Sequence, residues 1–360
     1  MRKIFILGSG RMGSQIAALL AATGQYAVTV ADRAEPRLDL PVAAAVERRQ
    51  VDARDAITLR RALAGQDIVV SACPYFLNLV IAEAARDCGV HYFDLTEDVE
   101  TARAIGAIAA GADTVFAPQC GLAPGFVGIV AHHMAQEFDQ VQSIQMRVGA
   151  LPVYPVNSLK YNLTWSTDGL INEYCNPCDA IVDGRRAQLL PLEGLERFSL
   201  DGVDYEAFNT SGGLGSLCET LAGKVAELTY KTVRYPGHRD ILRLLLHDLD
   251  LQHDRQTLQR IFERAIPKTD QDVVVLMVNA IGEKRGRLCQ ETFSIKVYGD
   301  GGASAIQATT AGSLCAMVDL FAAGRLRQRG LIRQEDVTLP DFLGNRFGSL
   351  FRPPSHRIAA

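Results

Sequence analysis

The sequence carries no basic stripe, no acidic block, no internal repeat and no low-complexity tract. Lys and Arg together number 37 against 41 Asp and Glu, a net charge of −4. A chain that binds nucleic acid through its phosphates carries an excess of positive charge, so nucleic acid is not an expected partner. The even charge pattern also argues against a disordered acidic tail. No apolar run is read as reaching the length of a bilayer span, and Gly8-Ser9-Gly10 interrupts the apolar start where a signal peptide would place its core. The expectation is a cytoplasmic protein with no membrane partner.

A zinc framework is missing too. Among eight scattered cysteines only Cys175-Asn176-Pro177-Cys178 has two-residue spacing, and neither a second pair nor suitably spaced histidines follow. His132 and His133 are adjacent on an expected helix and so point apart. No metal is expected, and the cysteine pair reads as two thiols at a helix end. What the chain does have is bulk: 360 residues, 48% hydrophobic and 22% charged, enough for two domains with a sizeable core.

The stretch that organises the chain lies at its start. Ile4-Phe5-Ile6-Leu7 suits a strand buried on both faces. Gly8-Ser9-Gly10-Arg11-Met12-Gly13 follows at once, then an alanine-rich helix over Ile16–Ala22, a strand over Ala27–Val30, and Asp32 at that strand's end. Strand, glycine turn, helix, strand, acid is the dinucleotide fingerprint. Gly8 allows the tight turn, Gly10 lets the backbone approach a pyrophosphate, and Gly13 lets helix and sheet pack closely. The amides opening the helix favour the phosphates. Asp32 accepts from the ribose hydroxyls and repels a 2′-phosphate, which favours NAD. Arg33 beside it keeps NADP possible.

Further along, a third strand is expected over Ala43–Val51. Asp52 and Ala53 at its end lie where an adenine would, with Asp52 alternatively capping the helix Ile57–Ala64. A fourth strand around Ile68-Val69-Val70 ends in Ser71-Ala72-Cys73-Pro74-Tyr75, placing Ala72, Cys73 and Pro74 beside the cofactor and Tyr75 near nicotinamide or substrate. Another strand ends at Asp94, a candidate to orient a reacting amine or to cap the next helix. Strands and helices alternate with short connections, which indicates a parallel sheet. Ligands bind at the carboxyl ends of such strands, where Cys120 also falls; its thiol reads as packing more readily than as a nucleophile.

From Pro118 to Gly125 breakers cluster, and the pattern changes. Val141–Gly149, Arg185–Leu190, Val225–Tyr235, Val273–Gly282 and Leu288–Tyr298 read as antiparallel strands. Helices are expected over Leu170–Tyr174, Arg239–Leu249 and Gln256–Ala265, and a long apolar helix over Ala303–Ala323. The fold class is thus α/β, a Rossmann-type doubly wound parallel sheet plus a second α+β domain with a mixed, largely antiparallel sheet. Residues 1–122, rejoined by 300–360, would form the dinucleotide-binding domain, and 123–299 the substrate-binding and oligomerisation domain. The open sheet suits a homodimer or higher homo-oligomer.

Several segments occur together in order: GSGRMG, Asp94-Leu95-Thr96-Glu97-Asp98, Cys120-Gly121-Leu122-Ala123-Pro124-Gly125, Tyr161-Asn162-Leu163-Thr164-Trp165-Ser166 and Arg234-Tyr235-Pro236-Gly237-His238. In this combination the chain resembles the saccharopine dehydrogenase-like family. That family includes glutamate-forming saccharopine reductases, lysine 6-dehydrogenases and carboxynorspermidine dehydrogenases. Within it the chain is most similar to the lysine enzymes, through Thr210-Ser211-Gly212-Gly213-Leu214-Gly215 and through Asp168, an acid suited to an ammonium where the saccharopine enzymes tend to carry an arginine.

The resemblance implies an NAD(P)-dependent oxidoreductase acting on the amine carbon of an amino acid, foremost the ε-amine of L-lysine, giving 2-aminoadipate 6-semialdehyde. Reductive joining of an aldehyde and an amine is the alternative enzyme reading. A dinucleotide-binding sensor without turnover is the alternative of another class. Candidate proton-transfer residues are Asp94, Lys160 and His238. Candidate substrate contacts are Tyr75, Cys120, Tyr161, Trp165, Asp168, Thr210 and Arg234, the last as a carboxylate grip. The expected partner is a small amino-acid substrate.

Overall fold

The computed structural model describes residues 1–36, 38 and 46–353. The chain divides into two compact units. Over the described residues, the first comprises Met1–Phe126 and Gln307–Gly348 and the second Val127–Ile306 with 349–353.

In the first unit, β1 (Arg2–Leu7) leads into α1 (Arg11–Ala22), β2 (Tyr26–Asp32), β3 (Glu47–Gln50), α2 (Ala56–Leu63), β4 (Ile68–Ser71), α3 (Asn78–Cys88), β5 (His91–Asp94), α4 (Val99–Ala109) and β6 (Val115–Ala117). The order across the sheet is β6-β5-β4-β1-β2-β3, all parallel, with Gly330–Leu331 added outside β6. This is the doubly wound order whose switch point lies between β1 and β4. Ile4, Phe5 and Ile6 of β1 and Ile68, Val69 and Val70 of β4 are fully buried, as continuous apolar runs in a parallel sheet should be. The third strand is shorter than the expected Ala43–Val51; residues 43–45 lie outside those described.

The second unit opens on α5 (Phe126–Gln136) and β7 (Gln140–Pro152). Then come α6 (Thr167–Cys175), β8 (Cys178–Val182), β9 (Arg185–Leu189), β10 (Glu196–Leu200), β11 (Val203–Asn209), α7 (Leu217–Leu221), β12 (Val225–Arg234), α8 (His238–Arg243), α9 (Arg255–Ala265), β13 (Asp272–Lys284) and β14 (Arg287–Tyr298). Its sheet runs β10-β11-β12-β7-β13-β14, with β8 and β9 hooked onto β12. β12 pairs with β7 in parallel, which corrects the expectation of an antiparallel strand there. Alternating polarity identifies a half-buried strand but not its direction, and the long excursion between β7 and β12 makes a parallel return possible. α8 is also shorter than expected, passing into a π-turn over Leu244–Asp248. One sheet face is covered by a core of Tyr161, Leu170, Tyr174, Phe208, Leu242, Leu258 and Phe262.

The long apolar helix spans Ala305–Ala322. By length and composition it is long enough to cross a bilayer, which corrects the sequence reading, and 67% of it is buried inside the fold. The fully buried Asp272 carboxylate accepts from the amides of Ala305 (2.5 Å) and Ile306 (3.1 Å) at its start. Further along, Asp319 accepts from the Tyr26 hydroxyl and Phe321 packs on His91 and Phe93.

Candidate functional site

In the first unit, the ends of β1, β2 and β4 converge on the glycine turn. Gly8 has φ +101°, and a Cβ there would lie 2.6 Å from the Ala72 carbonyl oxygen. A Cβ on Gly13 would lie 1.9 Å from the Gly8 oxygen, so turn, strand and helix require glycine at both positions. Gly10 differs: a Cβ there meets no atom within 4 Å. It is the N-cap of α1 and offers no side-chain cap to the helix amides. An open face beside uncapped helix amides fits a dinucleotide pyrophosphate. Asp32 is half-buried, and its Oδ2 accepts from the Ser9 amide (2.7 Å) and hydroxyl (2.9 Å). Arg11 and Arg33 are exposed and Met12 is half-buried.

Other expected cofactor residues have different work. Asp52 accepts from the Arg54 amide, while the cap of α2 is Asp55, through the amides of Ile57 and Thr58. The acid nearer the helix took the role assigned to Asp52. Ala53 is buried in the core. Cys73 packs on that core, and burial, with the nearby Asp32 charge, pushes its thiol up to about 12. Pro74 is exposed before the short turn Tyr75–Leu77, where Tyr75 is half-buried edge-on to Phe76.

Asp94 is sealed at 0% exposure. Its Oδ1 accepts from the amides of Thr96 and Gln119, both at 2.9 Å, and its Oδ2 from the Tyr92 hydroxyl at 2.7 Å. Burial pushes its carboxyl up to about 6. It therefore ties two strand-end loops together and presents no surface to an amine; α4 is capped instead by Asp98. Cys120 is 1% exposed, its thiol directed at the Ala117 carbonyl and raised well above the usual range by burial. It is a packing residue.

In the second unit a polar cluster lies between α6, β12 and α8. Arg234, Tyr174 and His238 form a hydrogen-bonded chain. Arg234 Nε donates to the Tyr174 hydroxyl (2.9 Å), that hydroxyl donates to His238 Nε2 (3.1 Å), and His238 Nδ1 donates to the Leu159 carbonyl (2.8 Å). The carbonyl can only accept, which fixes the tautomer. Burial and then the Arg234 charge hold His238 down at about 3, so it stays neutral and is not the near-neutral acid–base group expected. Arg234 stacks over the Tyr161 ring at 4.8 Å and pairs with Glu173 at 3.7 Å. The guanidinium side chain is 3% exposed, whereas Glu173 keeps 12%. Thr210 is 2% exposed with a hydroxyl that lacks a partner among the described residues. It directly follows β11, whose last residue, Asn209, pairs with Lys231 of β12. Trp165 packs half-buried against the same cluster.

Lys160 stands apart from this chemistry: it is exposed, with φ +52° and Nζ donating to the Pro236 carbonyl at 2.9 Å. Asp168 is exposed in the first turn of α6, where an acid suits the helix dipole. Five residues on, Glu173 is the acid that the cluster holds, together with Tyr174 and Tyr230. The sequence signal for it was available: Trp165, Leu170 and Tyr174 mark the buried face of a helix on which an acid is out of place.

Residues 4–115 match the saccharopine dehydrogenase NADP binding domain, and residues 121–350 match the saccharopine dehydrogenase C-terminal domain. The chain belongs to the saccharopine dehydrogenase family. Its first unit is thus the family's NADP-binding domain, which makes a nicotinamide dinucleotide the cofactor of this fold. The mitochondrial alpha-aminoadipic semialdehyde synthase of Rattus norvegicus is 21% identical over 328 residues, 83% of this chain and 34% of that protein, so the chain spans about a third of that relative. Apo saccharopine dehydrogenase (L-Glu forming) from Saccharomyces cerevisiae superposes with a TM-score of 0.79 at 18% identity, covering 98% of this chain and 96% of the other. The homospermidine synthase of Legionella pneumophila, in complex with NAD, gives 0.68 at 14% identity, covering 97% and 89%. Both share the fold.

Proposed function

We propose that this member of the saccharopine dehydrogenase family oxidises the carbon bearing the ε-amine of L-lysine to an imine with NAD(P) as oxidant, and that water then adds to the imine and releases ammonia, giving 2-aminoadipate 6-semialdehyde. The observation that carries this reading is the pair of Glu173 and Arg234. A carboxylate with residual exposure, backed by a sealed guanidinium, is a fixed acceptor for a substrate ammonium. Trp165 offers an apolar wall to a methylene chain. The dinucleotide, when bound, accepts hydride from the amine carbon. The chain's own part is to bind the amine, hold it, and keep the glycine turn and the Asp94-tied loops in register.

A second reading has a specific support. The yeast structure that shares the fold is a glutamate-forming saccharopine dehydrogenase, so reductive joining of an aldehyde to an amino acid is the competing reaction. Saccharopine carries three carboxylates. Among the described residues, Arg234 is the one buried cation of the second unit's cluster, and the other buried arginine, Arg147, is engaged by Glu196, Gln145 and Asn279. That charge balance suits lysine better. The deciding experiment follows NADH formation at alkaline pH with L-lysine, saccharopine and carboxynorspermidine, with NAD or NADP. Turnover of lysine supports the first reading. Turnover of a secondary amine alone transfers the assignment to the second. Cofactor binding with no turnover of any of the three counts against both and favours a sensor.

A further inference from the structure

Asp32 is the residue expected to meet the adenosine ribose, and its environment is unusual in one respect. Two hydrogen bonds from one residue, the amide and the hydroxyl of Ser9, converge on the same oxygen, Oδ2. Oδ1 takes no hydrogen bond from the described residues. Ser9 is itself fixed, since its carbonyl accepts from the Ser14 hydroxyl on α1 at 3.1 Å. Gly8 beside it donates its amide to the Ala31 carbonyl at 2.8 Å, next to Asp32 in the chain. The phosphate-binding turn and the ribose-binding acid are thus one hydrogen-bonded piece.

We propose that Ser9 is a cofactor-discriminating positioning residue: its hydroxyl locks the Asp32 carboxylate so that Oδ1 faces the ribose hydroxyls of NAD and cannot swing away from a 2′-phosphate. An amide alone leaves the carboxylate a rotation about its last bond, whereas a second donor on the same oxygen removes it. A fixed carboxylate accepts from unmodified ribose without reordering and repels the phosphate of NADP at full strength. Arg33, exposed and adjacent, offers a counter-charge to that phosphate only once the carboxylate is free to move. The inference rests on the family's cofactor use and not on which amine is oxidised.

The test is direct binding, read by enhancement of NADH and NADPH fluorescence on the full chain without substrate. Wild type is expected to bind NADH at least about tenfold more tightly than NADPH. Ser9→Ala should shrink that ratio by about three- to tenfold, the worth of one hydrogen bond. Ser9→Thr, which keeps the hydroxyl, should restore it. Asp32→Asn should raise NADPH affinity while leaving melting unchanged, which keeps the test open should Ser9→Ala fold poorly. A ratio unchanged in a folded Ser9→Ala protein, or a wild type that prefers NADPH, overturns the proposal.

Discussion

The Asp94 carboxylate accepts the backbone amide of Gln119 at 2.9 Å, a residue held at φ +63° in the left-handed region. From the other side, the Gln334 side-chain amide donates to the Gln119 carbonyl at 2.6 Å and to that of Pro118 at 3.0 Å. One strained peptide is gripped at both ends by buried side chains from distant parts of the first unit.

That grip has a pH signature. The folded carboxyl of Asp94 sits near 6 against an ordinary 3.8. Between those values the folded chain keeps a proton that the unfolded chain has released. Stability from this group therefore falls as pH rises through the window and is constant above it, a change of about 3 kcal/mol. Asp94→Asn should flatten this part of the urea-denaturation profile while preserving the fold, because its carbonyl still accepts the two amides. Asp94→Ala should lower stability at pH 7 by about 3 kcal/mol by stranding its donors. Identical pH profiles for wild type and Asp94→Asn would refute this account.

His238 acts in the opposite sense. Its folded value, near 3, lies below the 6.5 of a free histidine. Its contribution is complete above about pH 6.5 and is lost as pH falls toward 3, at about 1.4 kcal/mol per unit. Denaturation at pH 7 and pH 5 should show His238→Gln losing less stability over that interval than wild type. An equal loss would mean that the imidazole is not buried neutral.

The two later glycines of the turn should separate folding from binding. Gly10→Ala adds a methyl to open space at an ordinary φ of −67° and should melt like wild type, yet weaken NADH binding more than about tenfold by keeping the pyrophosphate at a distance. Gly13→Ala drives a methyl into backbone and should cost about 1–3 kcal/mol or more. Calorimetry and fluorescence titration on the two variants check both halves.

Glu173 and Arg234 should differ likewise. Glu173→Gln is expected to raise KM for the amine substrate with a smaller effect on kcat, since it weakens binding of the ammonium. Arg234→Ala should instead unfold readily, by about 3–5 kcal/mol, because it leaves Glu173 without its sealed partner. Steady-state kinetics beside thermal melting distinguish the two. A Glu173→Gln enzyme with unaltered KM would remove the ammonium site.

The parallel sheet was legible because its central strands β1, β2 and β4 are nearly continuous apolar runs separated by helices, whereas the exposed edge strand β3 (Glu47–Gln50) carries no such signal. The second unit was legible only in part. Asp183-Gly184, Asp201-Gly202 and Arg285-Gly286 each place two successive residues at positive φ between paired strands, the sequence mark of a tight hairpin, yet β8, β10 and β11 went unread. Their short, half-exposed runs offer little periodicity of their own. The backbone was legible where a motif fixes it: the turn expected at Gly8, Gly10 and Gly13 stands beside Asp32 as the spacing requires. Side-chain surroundings were not legible where burial decides them. Asp94 and His238 are chemically able to move protons, and only their packing withholds them. Glu173 was passed over although Leu170 and Tyr174 mark its helix face as buried, because the arginine that pairs with it lies far along the chain.

The pairing of Gly330–Leu331 with β6 has a consequence for synthesis. The first unit is written in two pieces, and the strand that covers the β6 edge leaves the ribosome only after Val127–Ile306 of the second unit have emerged. Until then β6 presents open backbone donors and acceptors to any other extended chain. The nascent protein is most exposed to misassociation at that edge, and a chain truncated before Gly330 would keep the exposure permanently.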